Sequence, residues 1–428
     1  MTRPWFNGAP GRIANQLPAH GSKVATLAAY GYQAVAALGL VLAVAHVLTG
    51  PEYARFSLTL ATAQFAAIGI FEWVRIAATR FFPGPDPATA PLQKASLGAG
   101  FVASALVGGV ISIGAILGGA PVVIVLIGAA LAVGQGLTDL YLTFVRFRGD
   151  LGAFAGLQSL RATAMFGFAA GGAVLTGAAT GALAGVVLAH AALILVALLT
   201  DPQLRATPWR HPAPDLVRAQ FAYGAPAAGA SILSLATVLM ARYAVSLIAP
   251  GAAGAGALLA FDLIQRPFAV VTTAFHALLY PPVVRAYDRG GFPAAASPLR
   301  RLYATELTCI VVLAIGLAAV LALPPVLALI APDRLAETFS AAALPCILAF
   351  ATRAVLLSLA PLALHLTRRT GLMATINLSD AGSFLILVAV LGLLTPLTMA
   401  GVLWAFLGST VLATGLTVLG SSRVAQSQ

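Results

Sequence analysis

The sequence predicts an all-α, polytopic membrane protein with about twelve transmembrane helices arranged as two six-helix lobes. Three observations carry this prediction. Of 428 residues, 60% are hydrophobic and only 9% are charged, where soluble domains carry about 25% charged residues. The apolar runs are continuous rather than alternating, which fits spanning helices and not the strands of a barrel. The basic residues also fall where a twelve-span topology puts them.

Spans are expected at about 24–48, 56–78, 95–118, 121–144, 152–176, 179–200, 219–248, 252–282, 299–324, 338–364, 371–394 and 397–420. Gly50-Pro51, Gly119-Ala120-Pro121, Pro250-Gly251, Ala331-Pro332 and Thr395-Pro396 punctuate the boundaries. With the N-terminus placed in the cytosol, seventeen of the 24 Lys and Arg residues fall in cytosolic segments and two, Arg55 and Arg334, on the opposite side. That asymmetry is the positive-inside signal, and it puts both termini in the cytosol. It also accounts for the net charge of +11 as topology and contact with lipid headgroups, so no nucleic-acid partner is expected.

The expected organisation is a cytosolic tail over 1–23, a first lobe over 24–200, a cytosolic linker over 201–218, a second lobe over 219–420 and a short tail over 421–428. The first tail has no apolar core region and does not read as a cleavable signal. The linker is rich in proline: Pro202, Pro208, Pro212 and Pro214. No loop is long enough for a soluble domain of about 50 residues or more.

A repeat links the two lobes. Phe71-Glu72-Trp73-Val74-Arg75 lies 41 residues after Tyr30 of Ala29-Tyr30-Gly31. Phe261-Asp262-Leu263-Ile264-Gln265-Arg266-Pro267 lies 38 residues after Tyr223 of Ala222-Tyr223-Gly224. Similar motifs at similar spacing in a membrane chain point to two related halves with a polar seam between them.

Five acids and five arginines fall within the expected spans: Glu72, Asp139, Asp262, Glu306 and Asp380, with Arg75, Arg161, Arg242, Arg266 and Arg353. Each costs about 2.5–3.5 kcal/mol near a helix centre unless it pairs, snorkels or lines water. Equal counts from a turn give equal depth, which matches Asp139 with Arg161, Arg353 with Asp380, and Arg242 with Asp262. Glu72 with Arg75 and Asp262 with Arg266 share a helix face at i,i+3 and i,i+4. Each pair has a structural reading, in which it holds helices in register, and a functional one, in which it lines a hydrated path. Arg75 is near a helix end and within reach of the headgroups, whereas Arg266 is mid-span. Pro267 removes one backbone hydrogen bond there and leaves a carbonyl one turn back, near Asp262 and Leu263.

Other chemistry finds little support. His46, His190 and His276 are isolated in apolar runs, and no His/Cys/Asp cluster has metal-ligand spacing. Cys309 and Cys346 read as packed small residues. No phosphate-cradling loop, nucleophile elbow or His-Glu-x-x-His motif is present, so neither an enzyme nor a cofactor is expected.

Three short stretches resemble polysaccharide flippases of the multidrug/oligosaccharidyl-lipid/polysaccharide exporter superfamily. Gly50-Pro51-Glu52-Tyr53-Ala54-Arg55-Phe56 is similar to a Gly-Pro-Glu-x-Tyr-Gly-x-Tyr/Phe turn, one residue shorter and with Ala54 in place of glycine. Tyr280-Pro281-Pro282-Val283-Val284-Arg285-Ala286-Tyr287 resembles the proline-then-basic end of the eighth span. Tyr223-Gly224-Ala225-Pro226 is similar to a Gly-x-Pro that opens the seventh. The resemblance implies two six-helix lobes around a cationic cavity that moves a lipid-diphosphate-linked oligosaccharide across the inner membrane. It implies membrane lipids, and glycan polymerase or glycosyltransferases, as partners. Arg266, Arg242, Arg161 and Arg75 are the candidates to supply that cationic character. Asp262, Asp380, Arg353, Asp139 and Glu72 are the ion-binding or charge-pairing candidates.

The expected function is therefore a flippase working by alternating access. Two rivals stand beside it. A drug/cation antiporter of the same superfamily needs acids free of arginine partners, and the first span has no acid. A non-transport scaffold in a glycan-assembly complex would use its charge pairs for structure alone.

Overall fold

The computed structural model describes residues 20–81, 89–205, 212–367 and 369–426, all as helices and short connections. Residues 1–19 of the first tail, Pro208 and Arg210 of the linker, and Arg368 lie outside them. The helices are α1 His20–Val47, α2 Gly50–Arg80, α3 Ala90–Leu117, α4 Val122–Phe147, α5 Leu151–Thr176, α6 Ala179–Thr200, the short α7 Pro202–Arg205, α8 Pro214–Ile248, α9 Ala252–Leu321, α10 Pro324–Ile330, α11 Asp333–Ala354, α12 Leu362–Leu366, α13 Thr370–Leu394 and α14 Met399–Gln426. A π-helical turn, Val355–Leu359, joins α11 to α12.

Among the described residues, eleven helical stretches are long and apolar enough to cross a membrane. They match eleven of the twelve expected spans. The remaining one, α5, is a 26-residue helix, but Gln158, Ser159, Arg161 and its glycines dilute its apolar character. A second departure concerns the connection expected over 283–298. Those residues are helical apart from two glycines, so spans eight and nine are two helical limbs that abut directly, labelled together as α9. Only Gly290 and Gly291 leave helical geometry, Gly291 with φ of +66°, so two limbs meet at a glycine kink. The Tyr280-Pro281-Pro282 stretch is accordingly inside a helix and does not end one.

The packing repeats. In the first half α1 packs on α5, α2 on α4, and α6 on both α4 and α5. In the second half α8 packs on α13, α9 on α11, and α14 on both α11 and α13. The spans in these contacts correspond one to one, six apart. Across the seam, α2 lies against α8 and α9, and α1 against α9. Helices approach closely where a side chain is missing. A Cβ on Gly224 of α8 would sit 2.2 Å from the Trp73 carbonyl of α2, and one on Gly256 of α9 would sit 2.3 Å from the Leu335 carbonyl of α11. Small residues at such contacts let backbones meet where lipid provides no hydrophobic drive.

At the Gly50 end of the bundle the halves are stitched by polar contacts. Arg334 donates to the carbonyls of Ala45, His46 and Leu48 at 2.7, 3.1 and 2.5 Å. These are the orphan carbonyls where α1 ends, a site that favours a cation. Nearby, a Cβ on Gly50 would meet Ala252 at 2.9 Å. Glu52, in the first turn of α2, pairs with Arg55 at 2.5 Å and accepts from the Ala179 amide that opens α6 at 2.7 Å. Thus the Gly-Pro-Glu-Tyr stretch is a helix start that caps a second helix, rather than a free turn. At the other end Arg148 pairs with Asp201 at 2.5 Å. Burial opposes the Arg148 charge, yet the hydrogen bond and charge of Asp201 outweigh it and hold the guanidinium more firmly protonated than usual.

Candidate functional site

The polar seam is centred on Asp262. Its carboxylate accepts from Arg242 of α8 at 2.6 Å and from the Tyr53 hydroxyl of α2 at 2.7 Å. Arg242 in turn donates to Ser57 of α2 at 3.1 Å and to Gln265 at 3.2 Å, and its guanidinium lies over the Phe261 ring at 5.3 Å. Two helices of the second half and one of the first therefore meet through one carboxylate. Phe261 is fully buried against Phe350 and Phe406, which fixes the helix face and with it the direction of Asp262. Arg242 and Asp262 each fill the other's charge requirement in a site with little solvent.

Arg266 is placed differently. Its Nε donates to the Asp262 backbone carbonyl at 3.1 Å, and among the described residues no carboxylate lies within ion-pair distance of it. The i,i+4 pair with the Asp262 side chain does not form, because Arg242 and Tyr53 already occupy that carboxylate. Pro267 contributes by removing the amide that would bond the Leu263 carbonyl, leaving a polar backbone on the same turn. Arg266 is fourteen residues from the start of α9, about 21 Å along the helix at roughly 1.5 Å per residue. That is deep in a hydrocarbon core of about 30 Å.

The other intramembrane arginines each have an acid. Arg161 of α5 pairs with Asp139 of α4 at 2.5 Å. Arg353 of α11 pairs with Asp380 of α13 at 2.8 Å, and Asp380 also accepts from Thr237 of α8 at 2.8 Å. Arg75 holds Glu72 in a bidentate ion pair within α2. This last pair lines a small cleft with Phe71, Gln135, Gly136 and Asp139. So the structure gathers the candidates into separate groups: Glu72, Arg75, Asp139 and Arg161 in the first half, Arg242, Asp262 and Arg266 at the seam, and Arg353 with Asp380 in the second half. It does not bring the four arginines proposed for substrate into one cluster.

The two intralobe pairs occupy equivalent helix pairs with the charges exchanged. Asp139 is on the fourth span and Arg161 on the fifth, whereas Arg353 is on the tenth and Asp380 on the eleventh. Tyr53, Ser57, Gln265 and Thr237 were not among the sequence candidates. Tyr53 stands 209 residues from Asp262, and no local pattern marks that contact. His190 meets the Thr138 hydroxyl at 3.1 Å, and His46 bonds the Leu42 carbonyl of its own helix at 2.8 Å. Among the described residues no group of three His, Cys, Asp or Glu side chains is placed to hold a metal ion.

No family model matches the sequence, and no curated protein matches it. Solved structures do. An inward-facing multidrug resistance MATE family transporter of the MOP superfamily superposes with a TM-score of 0.64 at 14% identity, over 95% of this chain and 98% of that one. An outward-facing multidrug resistance MATE transporter gives 0.59 at 15% identity, over 95% and 94%. A MOP superfamily transporter from Pyrococcus furiosus, described as having a binding pocket of reverse polarity that suggests a different function, gives 0.59 at 13% identity over 95% and 94%. The chain therefore has the fold of MATE transporters of the MOP superfamily along nearly its whole length.

Proposed function

We propose that the protein is an alternating-access transporter, and that it translocates a lipid-diphosphate-linked oligosaccharide for polysaccharide assembly. The observation that carries the anionic substrate is Arg266: a deep guanidinium without an acid of its own, beside a proline-freed backbone. Its donor geometry suits two oxygens of a diphosphate. Arg242 positions Arg266 indirectly by occupying the Asp262 carboxylate. The lipid tail remains in the bilayer while the headgroup passes between the halves 24–200 and 219–420. The similarity to transporters in both inward-facing and outward-facing states supports this motion. The Pyrococcus furiosus neighbour shows that pocket polarity varies within the fold.

The drug/cation antiporter reading draws on the multidrug neighbours. Against it, four of the five acids within the spans, Glu72, Asp139, Asp262 and Asp380, pair with arginine, and among the described residues of the spans only Glu306 is left without an ion pair. Binding to undecaprenyl diphosphate and to undecaprenol in nanodiscs tests the choice. The proposal expects preference for the diphosphate in the native protein and loss of that preference in Arg266→Ala. Equal binding of both lipids, with saturable binding of a cationic drug, would favour the antiporter.

A further inference from the structure

The contacts that tie the halves together around Asp262 all come from one stretch of α2. Tyr53 donates to Asp262 Oδ2 at 2.7 Å, and Ser57, one turn further on, accepts from Arg242 at 3.1 Å. Thr62 meets the Tyr243 hydroxyl of α8 at 2.7 Å. Towards the other end, rings pack the same two helices together: Trp73 stands edge-on to Phe221 at 5.1 Å, and Phe81 to Tyr223 at 6.0 Å. The hydrogen-bonded part of this seam is thus the part that closes at Gly50, where the backbones meet so tightly that a Cβ on Gly50 would lie 2.9 Å from Ala252.

The partners of Asp262 divide between the halves. Arg242 Nη1 holds Oδ1 at 2.6 Å and belongs to the same half as Asp262. Tyr53 holds Oδ2 and belongs to the other. A motion that parts the halves at the Gly50 end carries Arg242 along with Asp262 and takes Tyr53 away. Oδ2 is then a largely enclosed carboxylate oxygen without its donor, and leaving it so is costly. Arg266 is the replacement at hand. It lies one turn along α9 on the same face, a spacing at which side chains meet. Its Nε already bonds the Asp262 carbonyl at 3.1 Å, which keeps the guanidinium beside that residue. The rest of its N–H fork turns to Oδ2 by rotation of the side chain alone. A guanidinium paired with its own carboxylate has little charge left to offer an anion.

We propose that Tyr53 is a positioning residue that sets the anion affinity of Arg266. While the halves are closed at the Gly50 end, Tyr53 occupies Asp262 Oδ2 and Arg266 is free for the anion. When they part there, the carboxylate passes to Arg266 and the anion is released at that end. This inference rests on the reading of Arg266 as the group that holds the diphosphate.

Binding of undecaprenyl diphosphate and of undecaprenol to the full chain in nanodiscs tests it, with Tyr53→Phe, Arg266→Ala and the double variant side by side. Tyr53→Phe frees Oδ2 without opening the seam. It should weaken diphosphate binding by about tenfold, the scale of one charged hydrogen bond, and leave undecaprenol binding as it was. In the Arg266→Ala background Tyr53→Phe should have no further effect. Native affinity for the diphosphate in Tyr53→Phe, with affinity lost in Arg266→Ala, would overturn the role of Tyr53 and leave that of Arg266 standing. Native affinity in Arg266→Ala would overturn the reading on which both rest. Equal weakening towards both lipids, or a further loss in the double variant, would make Tyr53 merely structural and overturn the proposal. Should Tyr53→Phe fail to fold, Gly50→Leu tests the same hand-over by wedging the Gly50 end apart with Tyr53 intact. It should weaken diphosphate binding in the native background and not in Arg266→Ala, and unchanged binding in both would overturn the proposal.

Discussion

The Tyr53 hydroxyl of α2 donates to the Asp262 carboxylate of α9 at 2.7 Å, across the seam between the two halves of the chain. Asp262 is thereby shared between a partner in its own half, Arg242, and one in the other. A hydrogen bond to a buried charge is worth about 1.5–3 kcal/mol. Tyr53→Phe removes this one and leaves the ring packing in place. It should lower the thermal unfolding temperature and make the Gly50 end exchange amide hydrogens faster. Unchanged exchange at that end would show that the seam does not depend on the bond.

Arg334 makes a second crossing at the same end, from α11 to the carbonyls that finish α1. Arg334→Ala should raise hydrogen exchange at residues 45–52 by about tenfold or more, the equivalent of a charged hydrogen bond worth roughly 1.5–3 kcal/mol. Exchange elsewhere in α1 should change much less. A uniform rise along the helix would assign Arg334 to global stability instead.

Arg353 and Asp380 are both almost wholly enclosed. Breaking a buried pair from one side costs about 3–5 kcal/mol, because the other charge remains, while replacing both by apolar groups is often near neutral. Arg353→Met alone should therefore cut the yield of folded protein sharply, and Arg353→Met with Asp380→Leu should restore most of it. Similar losses in the single and double variants would mean that the pair does more than neutralise itself.

Gly224 allows α8 to meet the α2 backbone at Trp73. Gly224→Ala should push the helices apart and cost about 1–3 kcal/mol by overpacking. Gly109 of α3 has open space around it, so Gly109→Ala serves as a control with little effect. Thermal unfolding of the two variants side by side checks the difference.

The span pattern and the ion pairs within adjacent helices were legible because helical rise and turn position fix depth. Counting residues from a turn is enough to match Asp139 with Arg161 and Arg353 with Asp380. The counting fails where a partner comes from a distant helix. Tyr53 reaches Asp262 and Thr237 reaches Asp380 through tertiary packing that leaves no trace in local spacing. It also fails at α9, where Gly290, Gly291 and several prolines read as a loop. The backbone stays helical through those prolines, whose freed carbonyls can find other partners, and breaks only at Gly290 and Gly291. Asp262 and Arg266 share a helix face, as their spacing requires. Which of the two guanidiniums takes the carboxylate was decided by α8, which the spacing of α9 does not encode.

Arg266 is proposed as the guanidinium left free for an anionic headgroup. Translocation of a fluorescent undecaprenyl-diphosphate oligosaccharide in proteoliposomes, followed by quencher accessibility, tests it most directly. Arg266→Ala should slow translocation by about tenfold or more, the loss of a charged hydrogen bond of roughly 1.5–3 kcal/mol. Arg266→Lys should fall between, since it keeps the charge and loses the fork. An Arg266→Ala protein that reconstitutes normally and translocates at the native rate would contradict the account.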